Sequence, residues 1–428
     1  MGMAIVNWQP LKRHLQRAHW KPFAVVILLE ILFALVLFRS PGTIDVPEGW
    51  MRWIDGLLKY GLINGYRVND TDYPPGSSLI LLFIAKIAAT CSIDVFLSFK
   101  ISLGIALLFT TLCYWGWTLD AALTGLLAFS LYLNGVALGY LDTYVAPALI
   151  LSLWALQQKK IGLFSLLFSV SCLIKWQPLI IAPFLALHAL SAVKRRPGDI
   201  GALAVTWLRL TAPALAVVLC AVATFGYRPI AAALYAALND MALSGKALNF
   251  NWLVTYFLRL VQPDRYGAIS NGAVYLITID PSEGWVRTLK LVFLLFYLGA
   301  LGKLFKMRRS FASAIDCSLA GYLSYFILNI GVHENHLFLA TILATVGAAL
   351  ASDKRLRAVL VVALSNLNLI AFFGFIGSPL PFSRVVGLDV TLIFAAVNVL
   401  LFLFFWGDLV LRGGSARDGD HVAREMAG

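Results

Sequence analysis

Residues 331 to 336 read GVHENH and set two histidines and a glutamate, His333, Glu334 and His336, between two apolar runs. Three chemistries use such a set: a zinc site, a buried hydrogen-bonded network, and a pocket for an anion. The histidines are three apart, so one helical turn puts them on a common face. Zinc needs a third ligand and usually a fourth position, and no other Cys, His or Glu cluster at metal spacing lies in the segments expected on the same side. No metal is therefore assigned, although the outer acids could hold a divalent cation. Imidazoles at a helix start favour an anion such as phosphate, because the unpaired N–H groups and the helix dipole point the same way.

Other ionisable residues fall at comparable places. Asp45 and Glu48 follow the first apolar run; Asp72 and Tyr73 lie in TDYPPG; Asp142 lies in GYLDTY; Lys175 lies between two short apolar runs in IKWQP. Each has a plainer reading. Asp45 fits a solvated loop acid, Pro74 and Pro75 fit a helix entry, and Asp142 fits a helix cap. Lys175 either snorkels to an interface or meets an anion. Their convergence on one membrane face would mark a site, because ionisable groups persist in such chains where they pair or line a wet cavity.

The elements that must position these groups are membrane helices. The chain has 428 residues, of which 60% are hydrophobic and 13% charged, and its mean hydropathy is +0.82. Apolar runs long enough to cross a bilayer recur from residue 23 to residue 412. The first, Phe23 to Phe38, has no small-residue cleavage site and reads as a retained span. Its Glu30 is expected to hydrogen-bond to a neighbouring helix. The net charge of +12 lies in short clusters between apolar runs, which argues for topology and against nucleic acid. The five cysteines have no CxxC spacing and predict neither a disulfide framework nor a metal site.

Positive clusters mark the cytoplasmic side: Lys12, Arg13, Arg17 and Lys21; Lys159 and Lys160; Lys194 to Arg196; Lys303 to Arg309; Lys354 to Arg357; and Arg412. Segment 161–190 must then form two short spans meeting at Lys175. Residues 41–76, 227–284, 331–336 and 378–388 fall outside. One segment between 78 and 157 has to be re-entrant to keep Lys159 and Lys160 inside. EGWMRWIDGLLKYG carries Trp50, Trp53, Leu57 and Tyr60 at helical spacing, as in a helix lying flat at the interface. The expected fold is all-α: a single polytopic transmembrane bundle over residues 1–428 with about twelve spans. Interfacial helices lie in the outer loops 41–76 and 227–284, and a cytoplasmic tail covers 413–428.

In order along the chain, the first-loop acid, DYPPG, NGVALGYLD, CLIKWQPLIIAP and VHENH resemble the GT-C superfamily of polyprenyl-phosphate-sugar-dependent glycosyltransferases. The nearest likeness is to dolichyl-phosphate-glucose glucosyltransferases, with their DYPP and VHEK-like motifs, and to bacterial mannosyltransferase-like homologues. The resemblance spans most of the chain. It implies a bundle of GT-C type in an inner membrane, facing the periplasm, and a polyprenyl-phosphate sugar as donor. The acceptor would be a glycan or glycolipid among membrane lipids, with no cofactor and no nucleic acid. It implies that Asp45, with Glu48 in reserve, is the general base of an inverting transfer. Asp72 and Tyr73 would shape the donor site, with His333, Glu334 and His336 toward the donor phosphate. Where relatives carry lysine after VHE this chain has Asn335, and Lys175 or His336 would supply the cation. A transporter or flippase is the main rival, then a polymerase of lipid-linked sugars; a transporter would set its ionisable groups near the midplane of broken helices.

Overall fold

The computed structural model describes residues 20–191, 200–269, 273–280, 282–307, 310–378, 384–385 and 387–410. The clusters at Lys12 to Arg17, Lys194 to Arg196, Arg308, Arg309 and Arg412, and the tail 413–428, lie outside the described residues. The described chain is α-helical apart from one two-residue hairpin, β1 (Arg384–Val385) with β2 (Leu388–Asp389), and isolated bridges.

The helices are α1 (Trp20–Leu37), α2 (Arg52–Val68), α3 (Pro75–Cys91), α4 (Val95–Thr118), α5 (Ala121–Tyr132) and α6 (Val145–Gln157). They continue with α7 (Ile161–Ile174), α8 (Ala182–Ser191), α9 (Ile200–Phe225), α10 (Tyr227–Leu238), α11 (Phe250–Val261) and α12 (Pro263–Tyr266). The last are α13 (Gly284–Lys306), α14 (Phe311–Leu328), α15 (Phe338–Leu350), α16 (Arg355–Phe373) and α17 (Val390–Val410). Seven described helices are long and apolar enough to cross a membrane. Their outward faces are apolar, as at Leu28, Leu32, Leu35 and Val36 of α1 and Leu291, Leu295 and Leu298 of α13. A water-facing helix would show polar residues there, so lipid is the solvent and the chain is an integral membrane protein. The central helix, α14, is the most buried of the seven.

Side chains pin the two ends of the bundle. At one end Trp117 donates to Gln157 Oε1 (2.6 Å), Arg355 pairs with Asp120 (2.5 Å), and Asp316 receives Lys354 (2.6 Å) and Arg357. Lys303 Nζ donates there to the Val410 carbonyl. Lys159 and Lys160 lie two and three residues after Gln157, so the described basic clusters gather at this end. At the other end Ser40 donates to Ala137 O, Thr43 N to Leu138 O and Asn335 to Asp142, close to the Lys175 turn. All nine proposed site residues belong to segments at this second end.

Helix α3 resolves the odd segment between 78 and 157. It starts against Leu173, where a Cβ on Gly76 would overlap the Leu173 carbonyl. It then turns at Ser92, in the left-handed conformation (φ 54°), directly into α4. Lys100, near the start of α4, is fully buried and donates to the carbonyls of Val136 (2.7 Å) and Ala137 (3.1 Å), which belong to the Lys175 end. Helix α3 thus begins and ends at one end of the bundle and packs beside α2. TDYPPG therefore opens a helix that does not run the bundle's length. Glu30 is buried in α1 and receives the Thr111 hydroxyl (2.5 Å) from α4, the neighbouring-helix bond expected of it.

In the first loop a π-helical turn, Val46–Met51, leads into α2. Trp50, Trp53 and Leu57 are buried, but Tyr60 is exposed. Gly61 (φ 74°, ψ 174°) breaks the helix beside it, so the stripe ends one turn earlier than its spacing predicts.

Candidate functional site

Asp45 is held by backbone rather than by its own side chain. Thr43 N donates to Leu138 O (2.9 Å), Val46 is buried, and Trp50 Nε1 donates to Gly139 O (2.9 Å), so both flanks are fastened to the loop after residue 137. Asp45 occupies the N-cap position of the turn that follows, yet its carboxylate caps nothing. Among the described residues it has no hydrogen bond or ion pair. It lies within electrostatic reach of Glu334, His333, Lys175 and Lys246, and its pKa is raised to about 6. Burial is the main cause and the Glu334 charge adds to it; the three cations oppose. Glu48 is exposed, and its carboxylate has no hydrogen bond or ion pair among the described residues.

TDYPPG builds one wall. Thr71 Oγ1 accepts the Tyr73 N–H (2.9 Å), Pro74 is extended, and Pro75 opens α3. The Tyr73 ring meets Trp50 and Trp53 edge-on, at 5.3 and 5.6 Å between centroids. Lys175 Nζ lies 5.1 Å from the same ring's centroid. Burial, then the charges of Asp142, Asp72, Asp45 and Glu334, raise the Tyr73 phenol well above its ordinary value, so it remains a neutral wall. Asp72 is exposed at the rim, and its carbonyl accepts Trp176 Nε1 (2.9 Å).

Helix α7 stops at Lys175, which is extended (φ −153°, ψ 144°) ahead of Trp176, Gln177 and Pro178. Its ammonium donates to Asp142 Oδ1 (2.6 Å), with side-chain exposures of 8% and 0%. Asn335 donates to the other oxygen of Asp142 (2.8 Å). Asp142 does not cap a helix; it neutralises Lys175 and holds the 331–336 segment. Of the two readings of Lys175, it meets an anion, and that anion is the buried Asp142 carboxylate.

In VHENH, Val332 and Glu334 exchange backbone bonds with Gly245 on the segment after α10. His333 is extended and residues Glu334–Leu337 form a 3₁₀ turn. His333 Nε2 donates to Asp240 Oδ2 (2.5 Å) and its Nδ1 lies 4.0 Å from Glu334. Burial acts to lower its pKa; the Asp240 bond and the charges of Glu334, Asp240 and Asp45 outweigh that and raise it to about 9. Asp240 moves the opposite way: burial would raise it, but His333 holds it below the usual carboxylate range. His336 differs. Its Nδ1 takes hydrogen bonds from Tyr325 OH (3.0 Å) and His333 N (3.4 Å). With Nδ1 accepting both, the ring braces the segment between Tyr325 and the His333 backbone. Glu334 is buried and receives Tyr140 OH (2.5 Å).

The structure thus brings Asp45, Tyr73, Asp142, Lys175, His333, Glu334 and His336 together, with Asp72 at the rim and Glu48 outside. Sequence reasoning missed Asp240, Tyr140 and Lys246. Asp240 ends the run ALYAALND and reads as part of an interfacial helix; only its pairing with His333, 93 positions later, reveals it. No group of three or more His, Cys, Asp or Glu able to hold a metal occurs among the described residues. A carboxylate left unpaired opposite an imidazolium, both at one end of an apolar bundle, can take a proton on one side and stabilise an anion on the other. No family model and no curated protein matches the sequence.

Proposed function

We propose that the chain is an inverting glycosyltransferase of GT-C type, moving a sugar from a polyprenyl-phosphate donor to a glycan or glycolipid acceptor. The observation that carries this is the Asp45 carboxylate, engaged in no cap and no ion pair, within electrostatic reach of a charged His333. Deprotonated Asp45 accepts the proton of an acceptor hydroxyl while that oxygen attacks the anomeric carbon. The bond from that carbon to the phosphate oxygen breaks in the same displacement, and the polyprenyl phosphate leaves with the electron pair. A single displacement inverts the anomeric centre. His333 stabilises the charge that grows on the departing phosphate.

The topology supports this reading. We take as crossings the seven long helices and five of the seven shorter apolar ones: Ala121–Ala137, Leu141–Gln157, Ile161–Ile174, Gln177–Ser191 and Glu334–Leu350. They make twelve, with Trp20 and Val410 on the basic, cytoplasmic side. The site then opens on the outer face, the periplasm of a bacterial inner membrane, at the depth of a lipid headgroup.

Purified protein in liposomes, given polyprenyl-phosphate glucose or mannose and a lipid-linked glycan, is expected to form a new glycosidic bond of inverted configuration. Sugar or lipid movement across the vesicle with no new bond would instead identify a transporter. The rate should follow a bell in pH. It rises as Asp45 loses its proton near pH 6 and falls as His333 loses its proton near pH 9. Asp240→Asn removes the carboxylate that favours the imidazolium, so the alkaline limb should move down toward the ordinary histidine value, with the acid limb nearly unmoved. A pH profile of kcat in which both limbs stay fixed would exclude this role for the pair.

A further inference from the structure

We propose that Lys246 is a second cationic contact for a phosphate oxyanion bound beside His333; this rests on the donor-binding reading and names a residue of that site. The argument begins in Ser244-Gly245-Lys246-Ala247. Ser244 Oγ donates to Ala247 O (3.0 Å) and accepts Ala247 N (3.2 Å), closing a tight turn. Lys246 sits in that turn at φ 61°, the left-handed region that a side chain with a Cβ enters at a cost. Such a conformation persists only where the surroundings over-determine it. Here they do: Gly245 N donates to Val332 O (2.8 Å), Glu334 N to Gly245 O (3.1 Å), Leu248 N to Asn368 Oδ1 (2.6 Å) and Asn398 to Leu248 O (2.6 Å). The His333 ring lies over Gly245, where any Cβ would overlap it.

The loop is buried at Ser244, Ala247, Leu248 and Asn249, while Lys246 is half-buried. Its ammonium lies 4.9 Å from the Phe373 ring centroid. Unlike Lys175, it has no carboxylate within ion-pair distance among the described residues. Its charge reaches Asp45, as does that of His333. A strained turn therefore delivers an ammonium with no carboxylate partner on the residue whose backbone bridges to His333, both at the end of an apolar bundle. A plain snorkelling lysine needs neither the left-handed turn nor a position next to a histidine that is already charged. The ligand that two adjacent cations fit is a phosphate oxyanion, on a lipid headgroup or free.

The test is equilibrium binding to the full-length protein in lipid nanodiscs, with farnesyl phosphate, farnesol and inorganic phosphate as probes. Lys246→Met should weaken farnesyl phosphate by about 10- to 100-fold, the loss of one charge-assisted hydrogen bond. Lys246→Arg should remain within about fivefold of wild type, since it keeps the charge. Farnesol should bind all three proteins alike. Competition by inorganic phosphate only at far higher concentration assigns the oxyanion to a lipid. Competition at equal concentration, with the same Lys246 dependence, assigns it to free phosphate and keeps the contact. Unchanged farnesyl phosphate binding in Lys246→Met, or an equal loss of farnesol, overturns the proposal. A protein that binds farnesyl phosphate through Lys246 yet transfers no sugar would leave this contact standing and remove the glycosyltransferase reading.

Discussion

Asp45→Asn is expected to lower kcat for sugar transfer by about 10²- to 10⁴-fold, the usual range for removing a positioned general base. The change keeps the side chain's volume and alters only its ability to take a proton. No described residue depends on the carboxylate for a hydrogen bond, so nothing in the fold is left without a partner. Farnesyl phosphate affinity should stay within a few-fold of wild type, and thermal stability should be unchanged or slightly raised. The sign follows from the pKa: a folded-state value of about 6, above that of an unfolded aspartate, means the ionised carboxylate disfavours folding at neutral pH. That contribution is absent below the unfolded pKa and fully present above the folded one. Glu48→Gln is the matched control. Its carboxylate is exposed and outside the cluster, so transfer should remain within about twofold, as surface changes away from a site usually leave it. Survival of transfer in Asp45→Asn with loss in Glu48→Gln would reverse the assignment.

The helices were legible because lipid leaves one option for a spanning backbone, and apolar length then reads directly as an element. The chain reversal at Lys175 followed from basic residues on both sides of one apolar stretch, a rule about charge that needs no contact. Helix α3 was not legible by hydropathy. Its Leu79, Phe83 and Ile87 are exposed and its Leu81, Ile84 and Ala88 buried, as in a crossing helix. What sets it apart is that both its ends are fastened at one end of the bundle. Site residues were legible where motif and chain break coincide, as in TDYPPG and VHENH. Their partners were not. The charge on Lys175 is cancelled by Asp142, 33 positions earlier, and the charge on His333 is sustained by Asp240. No motif surrounds Lys246, and only its backbone angle and its bridge to His333 distinguish it. Local spacing encodes helices and caps; it does not encode which acid meets which base across the bundle.

Asp142→Ala should be the most destabilising single change at the site, by about 3–5 kcal/mol, because it leaves a buried ammonium without its counter-ion. The carboxylate has no exposed surface and binds two segments at once, the Lys175 chain break and Asn335 in the VHENH loop. Removing it orphans the Lys175 ammonium and the Asn335 amide together. The readout is the midpoint of heat or denaturant inactivation in nanodiscs, compared at one scan rate because unfolding of such a protein is a rate as much as an equilibrium. Lys175→Met should cost less, since the orphaned Asp142 can take a proton and still accept from Asn335. The double change Asp142→Asn with Lys175→Met should return stability to within about 1–2 kcal/mol of wild type, because a buried ion pair offers little over a well-packed neutral one of similar size. This cycle also separates two roles for Lys175. If its ammonium only neutralises Asp142, the double variant regains stability and donor affinity together. If the ammonium also grips the donor phosphate, stability returns while donor affinity stays at least tenfold weaker. The 2.6 Å bond to a fully buried carboxylate, and the Tyr73 ring beneath the ammonium, favour the first outcome. Recovery of affinity in the double variant would leave His333 and Lys246 as the cations facing the phosphate.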